Sequence, residues 1–325
     1  MNFRRLSAVT CATAAALACT LSLSVQAQTW PTKPIRLVVP FSAGGANDLM
    51  ARAAAEGASK QLGQPVIIDN KPGAGAILGA DVVAKSAPDG YTFLVSAAGV
   101  VSNSMIKKNM PYKDEALVPV AMIALAPSVV VVPANAPYKD LKEFVAASKK
   151  AGNGFHWATA GTGSTPHFVE GILETKYGSK LDVVPYKSGS ESITAVLGNQ
   201  VEATSEASIV VLPYIKSGKL KALAGTWTQR ISAYPELPTA AEEGFPEIRI
   251  AHWAGVHAPR GTPDAILDKM AAAIDAAMKS PETAKRLKDM GIEPIGGTRA
   301  SFTKFVDEER ARLGGVVKAT GMKED

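Results

Sequence analysis

The chain has 325 residues, of which 46% are hydrophobic and 20% are charged, with 28 glycines and 21 prolines. This is the composition of an ordinary globular protein, and it excludes a disordered chain, a collagen and a disulfide-held mini-protein. The formal net charge of +5 is too small to indicate a nucleic-acid-binding protein.

The first 27 residues read as a secretory leader. Arg4 and Arg5 make a basic start, residues 8–25 form an apolar run, and Val25-Gln26-Ala27 has the small-x-small pattern of a cleavage site. A membrane anchor is disfavoured, because threonines and serines dilute the run and no second apolar span follows it. A lipoprotein leader would use Leu17-Ala18-Cys19, but the larger aliphatic residue usual before such a motif is missing.

Cleavage near Ala27 leaves 298 residues with a net charge of +3, because the leader carries two arginines and no acid. Both cysteines, Cys11 and Cys19, are lost with the leader. The exported chain therefore has no disulfide, is not a thiol enzyme and binds no metal through cysteine. Its small positive charge is compatible with a small anionic ligand.

The mature sequence alternates between strand and helix patterns. The elements predicted in its first half are strands at 35–39, 65–69 and 91–96 and helices at 48–62 and 78–85. Those of the second half are strands at 128–132, 155–158, 181–185, near 201 and at 221–224, with helices at 140–150, 166–177 and 191–197. An extended passage at 248–258 precedes three closing helices at 263–280, 281–290 and 299–320. This order predicts right-handed crossovers and parallel sheets.

The two halves share one plan. Ile35–Asp48 and Phe155–His167 each run from a strand through a glycine-rich loop to the start of a helix. Two equivalent α/β units indicate two lobes, and such sheets bind ligands in the crevice at the carboxyl ends of their strands.

The first loop is Phe41-Ser42-Ala43-Gly44-Gly45-Ala46-Asn47-Asp48. Its glycines allow a ligand to approach the backbone closely, and the helix start that follows presents free N–H groups to an anion. The loop is not a Walker P-loop and lacks the GxGxxG spacing of dinucleotide folds. The alternative is a plain strand-to-helix turn with Asn47 as the N-cap.

The second loop is Thr159-Ala160-Gly161-Thr162-Gly163-Ser164-Thr165-Pro166-His167. Pro166 suits the first helical position and Thr165 suits the N-cap. The hydroxyls and glycines make a dense set of hydrogen-bonding groups, although a capped turn is again the alternative. Because a glycine-rich loop before a helix start recurs at the equivalent place in the second half, we expect both loops to line one anion-binding cleft. His167 is either near the ligand or a surface histidine.

Other chemistry is not supported by the sequence. The four histidines have no metal-ligand spacing, no Gly-x-Ser-x-Gly elbow occurs, and no Ser-x-x-Lys run fits a lactamase-type nucleophile set. Tyr186 ends a strand and suits a ligand carboxylate, or it lies at the surface. Glu206 follows a strand, where it either accepts a ligand amine or hydroxyl or caps the helix that follows. We expect no catalytic residue, no metal and no cofactor.

Eight short motifs in order resemble the periplasmic substrate-binding receptors of tripartite tricarboxylate transporters, the Bug-type receptors. The motifs span essentially the whole mature chain. They are Trp30–Arg36, Val39–Asp48, Asn70–Gly75, Ala87–Thr92, Gly161–His167, Val184–Lys187, Gly218–Ala224 and Ala258–Pro263.

The resemblance implies an α/β, two-lobed periplasmic-binding (Venus-flytrap) fold in which each lobe is a sheet flanked by helices and the ligand cleft lies between the lobes. One lobe would take residues 28–124 plus 255–325 and the other residues 125–254, with crossings near Ile123–Ala126 and Trp253–Gly255. The resemblance assigns ligand binding to Phe41, Ser42, Ala43, Gly44, Gly45, Ala46, Asn47, Asp48, Ala160, Gly161, Thr162, Gly163, Ser164, Thr165, His167, Tyr186, Glu206 and His252. Ser102, Asn103 and Trp253 are further candidates for the cleft wall.

The function that the resemblance implies is capture of a small carboxylate and its delivery to a membrane permease of two other subunits. Relatives bind aliphatic dicarboxylates, tricarboxylates, acidic amino acids and aromatic carboxylates such as terephthalate. Glu206-Ala207 and Ser42-Ala43 depart from the family's usual residues near the pocket, so the ligand itself is not implied. We expect a monomer in the periplasm. A sensor that signals to a membrane kinase, a secreted hydrolase or isomerase and an adhesin are the alternatives.

Overall fold

A computed structural model describes residues 30–152, 154–186 and 188–324. The predicted leader and its cleavage site lie outside these ranges. The strands are β1 (Ile35–Val39), β2 (Val66–Asn70), β3 (Thr92–Ser96), β4 (Leu117–Pro133), β5 (Phe155–Thr159), β6 (Leu181–Pro185), β7 (Ala203–Ala207), β8 (Leu220–Gly225), β9 (Ala251–Pro259) and β10 (Glu293–Pro294). The α-helices are α1 (Ala46–Leu62), α2 (Ile77–Ala84), α3 (Ala98–Ile106), α4 (Leu141–Lys150), α5 (Thr165–Tyr177), α6 (Gly189–Leu197), α7 (Ser208–Lys216), α8 (Asp264–Lys279), α9 (Pro281–Asp289) and α10 (Arg299–Thr320).

The strands form a two-lobed mixed sheet in the order β2-β1-β3-β9-β4-β7-β5-β6. In the first lobe β1 pairs in parallel with β2 and β3, and in the second β5 pairs in parallel with β6 and β7, as predicted. The centre differs, because β4 is antiparallel to β7 and β9 is antiparallel to β3 and β4. β4 enters the second lobe from the cleft, and β9 enters the first lobe from the cleft. The parallel strands of each lobe end at the cleft, so β4 and β9 run opposite to the parallel strands of the lobe that they enter.

The long strand β4 connects the lobes. It pairs with β9 as far as Pro127 and with β7 from Ser128 onwards, so its partners change next to the predicted crossing at Ile123–Ala126. Parallel strands joined by crossovers have their carboxyl ends at one edge of the sheet, and in both lobes this edge faces the crossing strands.

Each face of the sheet is covered by helices. In the first lobe α1 packs closely on α8, and a Cβ at Gly57 would lie 2.3 Å from the Cβ of Ala277. In the second lobe Phe144, Trp157 and Phe168 form a fully buried core. Burial of apolar surface contributes roughly 25 cal/mol per Å², so these cores hold the frame of the cleft in place.

The carboxyl-terminal helix α10 contacts both lobes. Phe302 packs on Trp253 at the crossing, whereas Leu313 belongs to the core of the second lobe. The C-terminal end of the helix approaches α5, where a Cβ at Gly171 would lie 2.7 Å from Thr320 Cγ2. The predicted lobe boundaries remain a prediction, with α10 spanning the two units.

Candidate functional site

The first loop ends in a helix start that no side chain caps. Gly45 is the N-cap of α1 and has no side chain to supply a hydrogen bond, and the first helical bond runs from the Leu49 N–H to the Gly45 carbonyl at 3.0 Å. The N–H groups of Ala46, Asn47 and Asp48 precede that bond and are free of the helix ladder. Asn47 is therefore inside the first turn and is not the N-cap.

The Asp48 carboxylate fixes the shape of this loop. It accepts hydrogen bonds from the Gly44 N–H at 2.9 Å, from Arg52 Nε at 2.8 Å and from Asn70 Nδ2 at 2.9 Å. Asn70 Nδ2 also donates to the Phe41 carbonyl, at 3.0 Å. Burial alone would raise the pKa of Asp48, but these hydrogen bonds outweigh it and lower the pKa. Asp48 thus acts on the loop, with its carboxylate already engaged by protein groups.

Asn47 ties the first loop to the crossing strand. Its Nδ2 donates to the carbonyl of Trp253 in β9 at 2.8 Å. The helix start of the first lobe therefore lies beside the strand that carries His252.

The second loop repeats the uncapped helix start. The N-cap of α5 is Ser164 and not the predicted Thr165, which is the first helical residue. The Ser164 hydroxyl makes no capping bond, and the first helical bond joins the Phe168 N–H to the Ser164 carbonyl at 3.1 Å. Gly161 and Gly163 have φ of 98° and 74°, values that favour glycine. The Gly163 N–H donates to His167 Nδ1 at 3.3 Å, and burial lowers the pKa of His167, so a neutral imidazole holds the loop.

Three other helices are capped by a side chain, whereas α2, α3, α7, α8 and α9 have no side-chain cap either. The side chains of Asp140, Ser188 and Thr298 accept hydrogen bonds from first-turn N–H groups of α4, α6 and α10. The two helix starts that follow the glycine-rich loops lack such caps, which leaves their N–H groups available to a ligand.

Helix α3 brings the first lobe against the second loop. A Cβ at Gly163 would lie 2.7 Å from Ile106 Cδ1 and 3.8 Å from Ser102 Oγ, although both of those residues follow β3 of the first lobe. The sequence patterns did not predict α3. Its glycine, two valines, two serines and one asparagine are all weak helix formers, and the helix is held by burial on several sides.

The contact at Gly163 gives a testable prediction. Gly163→Ala should cost about 1–3 kcal/mol of stability from backbone strain and should weaken ligand binding about tenfold, because the new methyl group pushes Ile106 and the second loop apart. Urea unfolding and ligand titration measure the two effects. Gly178→Ala is the matched control, since Gly178 has φ of 69° but no atom within 4 Å of its Cβ position. Equal binding losses in both variants would contradict the prediction.

Polar groups meet at the floor of the cleft, where β7 ends beside β4 and β9. His252 Nε2 lies 3.8 Å from Glu206 Oε2 and 3.5 Å from Ser128 Oγ. Burial raises the pKa of Glu206 to about 8, and the Ala207 N–H lowers it by less. Burial lowers the pKa of His252 to about 4. Both side chains are therefore uncharged at neutral pH.

Several buried oxygen atoms around the two loops have no hydrogen-bond partner within the described ranges. A buried polar group without a partner costs about 1–3 kcal/mol, so such groups mark places where a ligand or water completes the bonding. They are Ser102 Oγ, Thr159 Oγ1, Ser164 Oγ and Glu206 Oε1.

Trp253 and Asn103, two candidates for the cleft wall, have side chains that are engaged by other groups of the protein. The Trp253 ring is 1% exposed, packs on Phe302 and Phe305, and donates from Nε1 to Glu309 Oε2 at 3.2 Å. It is therefore unable to stack on a ligand ring. The amide of Asn103 donates to the Gly75 carbonyl at 2.8 Å.

The remaining predicted residues line the same region with different exposure. Ser42, Ala43 and Gly44 are exposed, while Phe41 is partly buried against the core of the first lobe. Ala160 and Thr162 are partly buried in the second loop, and Thr165 is buried in the first turn of α5. Tyr186 is partly buried, and its N–H donates to the Thr159 carbonyl at 2.8 Å.

A two-lobed mixed sheet with a polar cleft at its strand ends defines the class of periplasmic binding proteins. A family model described as the tripartite tricarboxylate transporter family receptor matches residues 50–322, and the chain belongs to this family. Protein BugT of Bordetella pertussis is 35% identical over 306 residues, which cover 93% of this chain and 94% of BugT.

Two solved structures are similar over nearly the whole chain. An R. palustris protein with adipate is 31% identical, with a TM-score of 0.84, over 90% of this chain and 98% of that one. MatC from Rhodopseudomonas palustris with bound malate is 30% identical, with a TM-score of 0.80, over 89% of this chain and 100% of that one. The family that this chain belongs to is a family of transporter receptors. Within the described ranges, no helix has the length and apolarity needed to cross a bilayer.

Proposed function

We propose that the protein is a periplasmic receptor that captures a small carboxylate between its lobes and delivers it to a two-subunit membrane permease. The observation that carries the proposal is the pair of uncapped helix starts, at Ala46 and Thr165, beside buried hydroxyls without partners. Free N–H groups at a helix N-terminus bind anions, and the buried setting strengthens those hydrogen bonds. The family membership and the adipate and malate in related structures support a carboxylate as the ligand.

In the proposed binding mode, some of the predicted residues contact the ligand and others hold the two loops in shape. Backbone N–H groups of the first loop and of the second loop hold one carboxylate from opposite sides, and the Ser164 hydroxyl adds a donor. Asp48 and His167 keep the two loops in shape. Export through the leader, cleavage near Ala27 and a monomeric state belong to the same proposal, because a flytrap needs lobes that move freely.

A thermal-shift experiment tests the proposal. The mature protein is unfolded to strip bound ligand, refolded and melted with succinate, malate, citrate, adipate, glutamate, benzoate, protocatechuate or terephthalate. A ligand at about 100 times its Kd should stabilise the fold by roughly 2.7 kcal/mol. The matching amides, which lack the charge, serve as controls and should not shift the melting temperature. A melting temperature that no carboxylate changes would overturn the proposal.

A further inference from the structure

We propose that Glu206 and His252 form a subsite for a second carboxylate of the ligand, to which Glu206 donates its carboxyl proton. The inference rests on the proposed function, and it names the class of ligand as a dicarboxylate in place of a monocarboxylate or of a carboxylate whose second polar group is an ammonium.

The position of Glu206 supports a direct ligand contact. The residue is 5% exposed near the end of β7, and its carboxyl group lies against Gly189, the first residue of α6. A Cβ at Gly189 would be only 2.6 Å from Glu206 Oε2, so the absence of a side chain there makes room for the carboxyl group. Glu206 Oε1 has no hydrogen-bond partner within the described ranges.

The surroundings of Glu206 keep it protonated. Among the described residues, its one basic neighbour within 4 Å is His252, which burial keeps uncharged. The paired strand β4 contributes no titratable group. The other titratable side chains on elements packed against β7 are His156, His167, Glu170, Glu174, Lys176, Tyr177, Glu191, Tyr214, Lys216 and His257. With a pKa of about 8, the Glu206 carboxyl carries its proton at neutral pH.

A protonated carboxyl group at this position favours a ligand group that accepts a hydrogen bond. Its O–H donates one hydrogen bond, and a bond from O–H to a carboxylate oxygen is charge-assisted and roughly twice as strong as a neutral one. One proton then lies between the Glu206 carboxyl group and the ligand carboxylate, and the uncharged Glu206 adds no net charge to the site. An ammonium group would form its strongest contact, an ion pair, only with a Glu206 that has lost its proton.

Ligand titration at several pH values tests this assignment. The probes are malate, adipate and terephthalate, with hexanoate and benzoate as the matched monocarboxylates and 6-aminohexanoate, which carries one carboxylate and one ammonium group, as the ammonium probe. Binding that needs protonated Glu206 weakens as pH rises through its pKa. The Kd of the dicarboxylates should therefore rise about tenfold between pH 7 and pH 9, while that of a monocarboxylate stays level.

Variants separate the subsite from the rest of the cleft. Glu206→Gln keeps a donor but has no proton to lose, so dicarboxylate binding should become level between pH 7 and pH 9. Gly189→Ala should displace the carboxyl group and weaken dicarboxylates about tenfold, with monocarboxylates unchanged. Glu170→Gln is the control, because Glu170 is also buried with a pKa of about 8 but lies on α5, and its variant should keep the wild-type pH profile.

The outcomes that overturn the assignment are distinct from those that overturn the receptor itself. Dicarboxylate binding that is level in the wild type, or that still weakens in Glu206→Gln, overturns the subsite while the receptor stands. Preferential binding of 6-aminohexanoate or of a monocarboxylate does the same. If no carboxylate binds at any pH, both the receptor and the subsite are wrong.

Discussion

Asp48→Ala is expected to destabilise the protein by about 2–3 kcal/mol and to weaken carboxylate binding at least about tenfold. The carboxylate is 1% exposed and holds Gly44, Arg52 and Asn70 together. Without it, the Gly44 N–H and the Asn70 amide lose a charged acceptor and the loop before α1 loses its fixed shape. Urea unfolding measures the stability, and calorimetric titration measures the binding.

The control for Asp48→Ala is Glu56→Ala on the same helix. Glu56 also pairs with two cations, Lys60 and Arg286, but its side chain is 46% exposed. Exposed ion pairs contribute about 0–1 kcal/mol, so this variant should bind ligand as the wild type does. If Asp48→Ala keeps wild-type affinity, the assigned role of the first loop is wrong.

The pKa of Asp48 also sets a pH dependence. A carboxyl group whose pKa is lower in the folded state than in the unfolded state stabilises the fold at pH values above the unfolded pKa. Its contribution is lost as the pH falls from about 4 through the lowered value. Asp48→Ala should therefore unfold with a weaker dependence on acid than the wild type.

Glu170→Gln is expected to stabilise the protein by about 2–4 kcal/mol at pH 9 and to change little at pH 5. Burial, with a smaller contribution from Glu174, raises the pKa of Glu170 to about 8. The folded protein thus keeps a proton that the unfolded chain loses near pH 4.5, so wild-type stability falls between these two values. Glutamine has no proton to lose, and urea unfolding at both pH values shows the difference.

An exposed position provides the control for Glu170→Gln. Glu308 lies on α10, is 66% exposed and pairs loosely with Lys304 at 3.8 Å. Glu308→Gln should shift stability by less than about 0.5 kcal/mol at either pH. A Glu170→Gln variant with no gain at pH 9 would mean that the pKa of Glu170 is not raised in the folded protein.

The local patterns predicted most elements of the fold. The strand before each glycine-rich loop and the helix after it occur as expected, and the three closing helices match within a few residues. The patterns missed α3, and they placed β4 at 128–132 although it spans Leu117–Pro133. β4 is buried along its whole length except at Val118 and Pro119, so its length depends on which strands it pairs with and not on its own alternation.

The candidate site was predicted as two loops but not as a bonded assembly. Glycines and small hydroxyl residues before helix starts identify both loops from the sequence. No local pattern indicates that Asp48 meets Asn70, that Asn47 meets the Trp253 carbonyl, or that Gly163 meets Ile106, because these contacts join residues far apart in the chain.

The sequence by itself determined the class of the protein, since short motifs in order and strand–loop–helix units depend on local residue patterns. The tertiary structure decided what each side chain at the site does. It placed the Trp253 ring in the core and engaged the side chains of Asp48 and His167 in hydrogen bonds within their own loops. It also packed the Glu206 carboxyl group against Gly189 and His252. Burial and the protonation it causes depend on the packing of distant segments, and the order of residues along one segment does not contain that information.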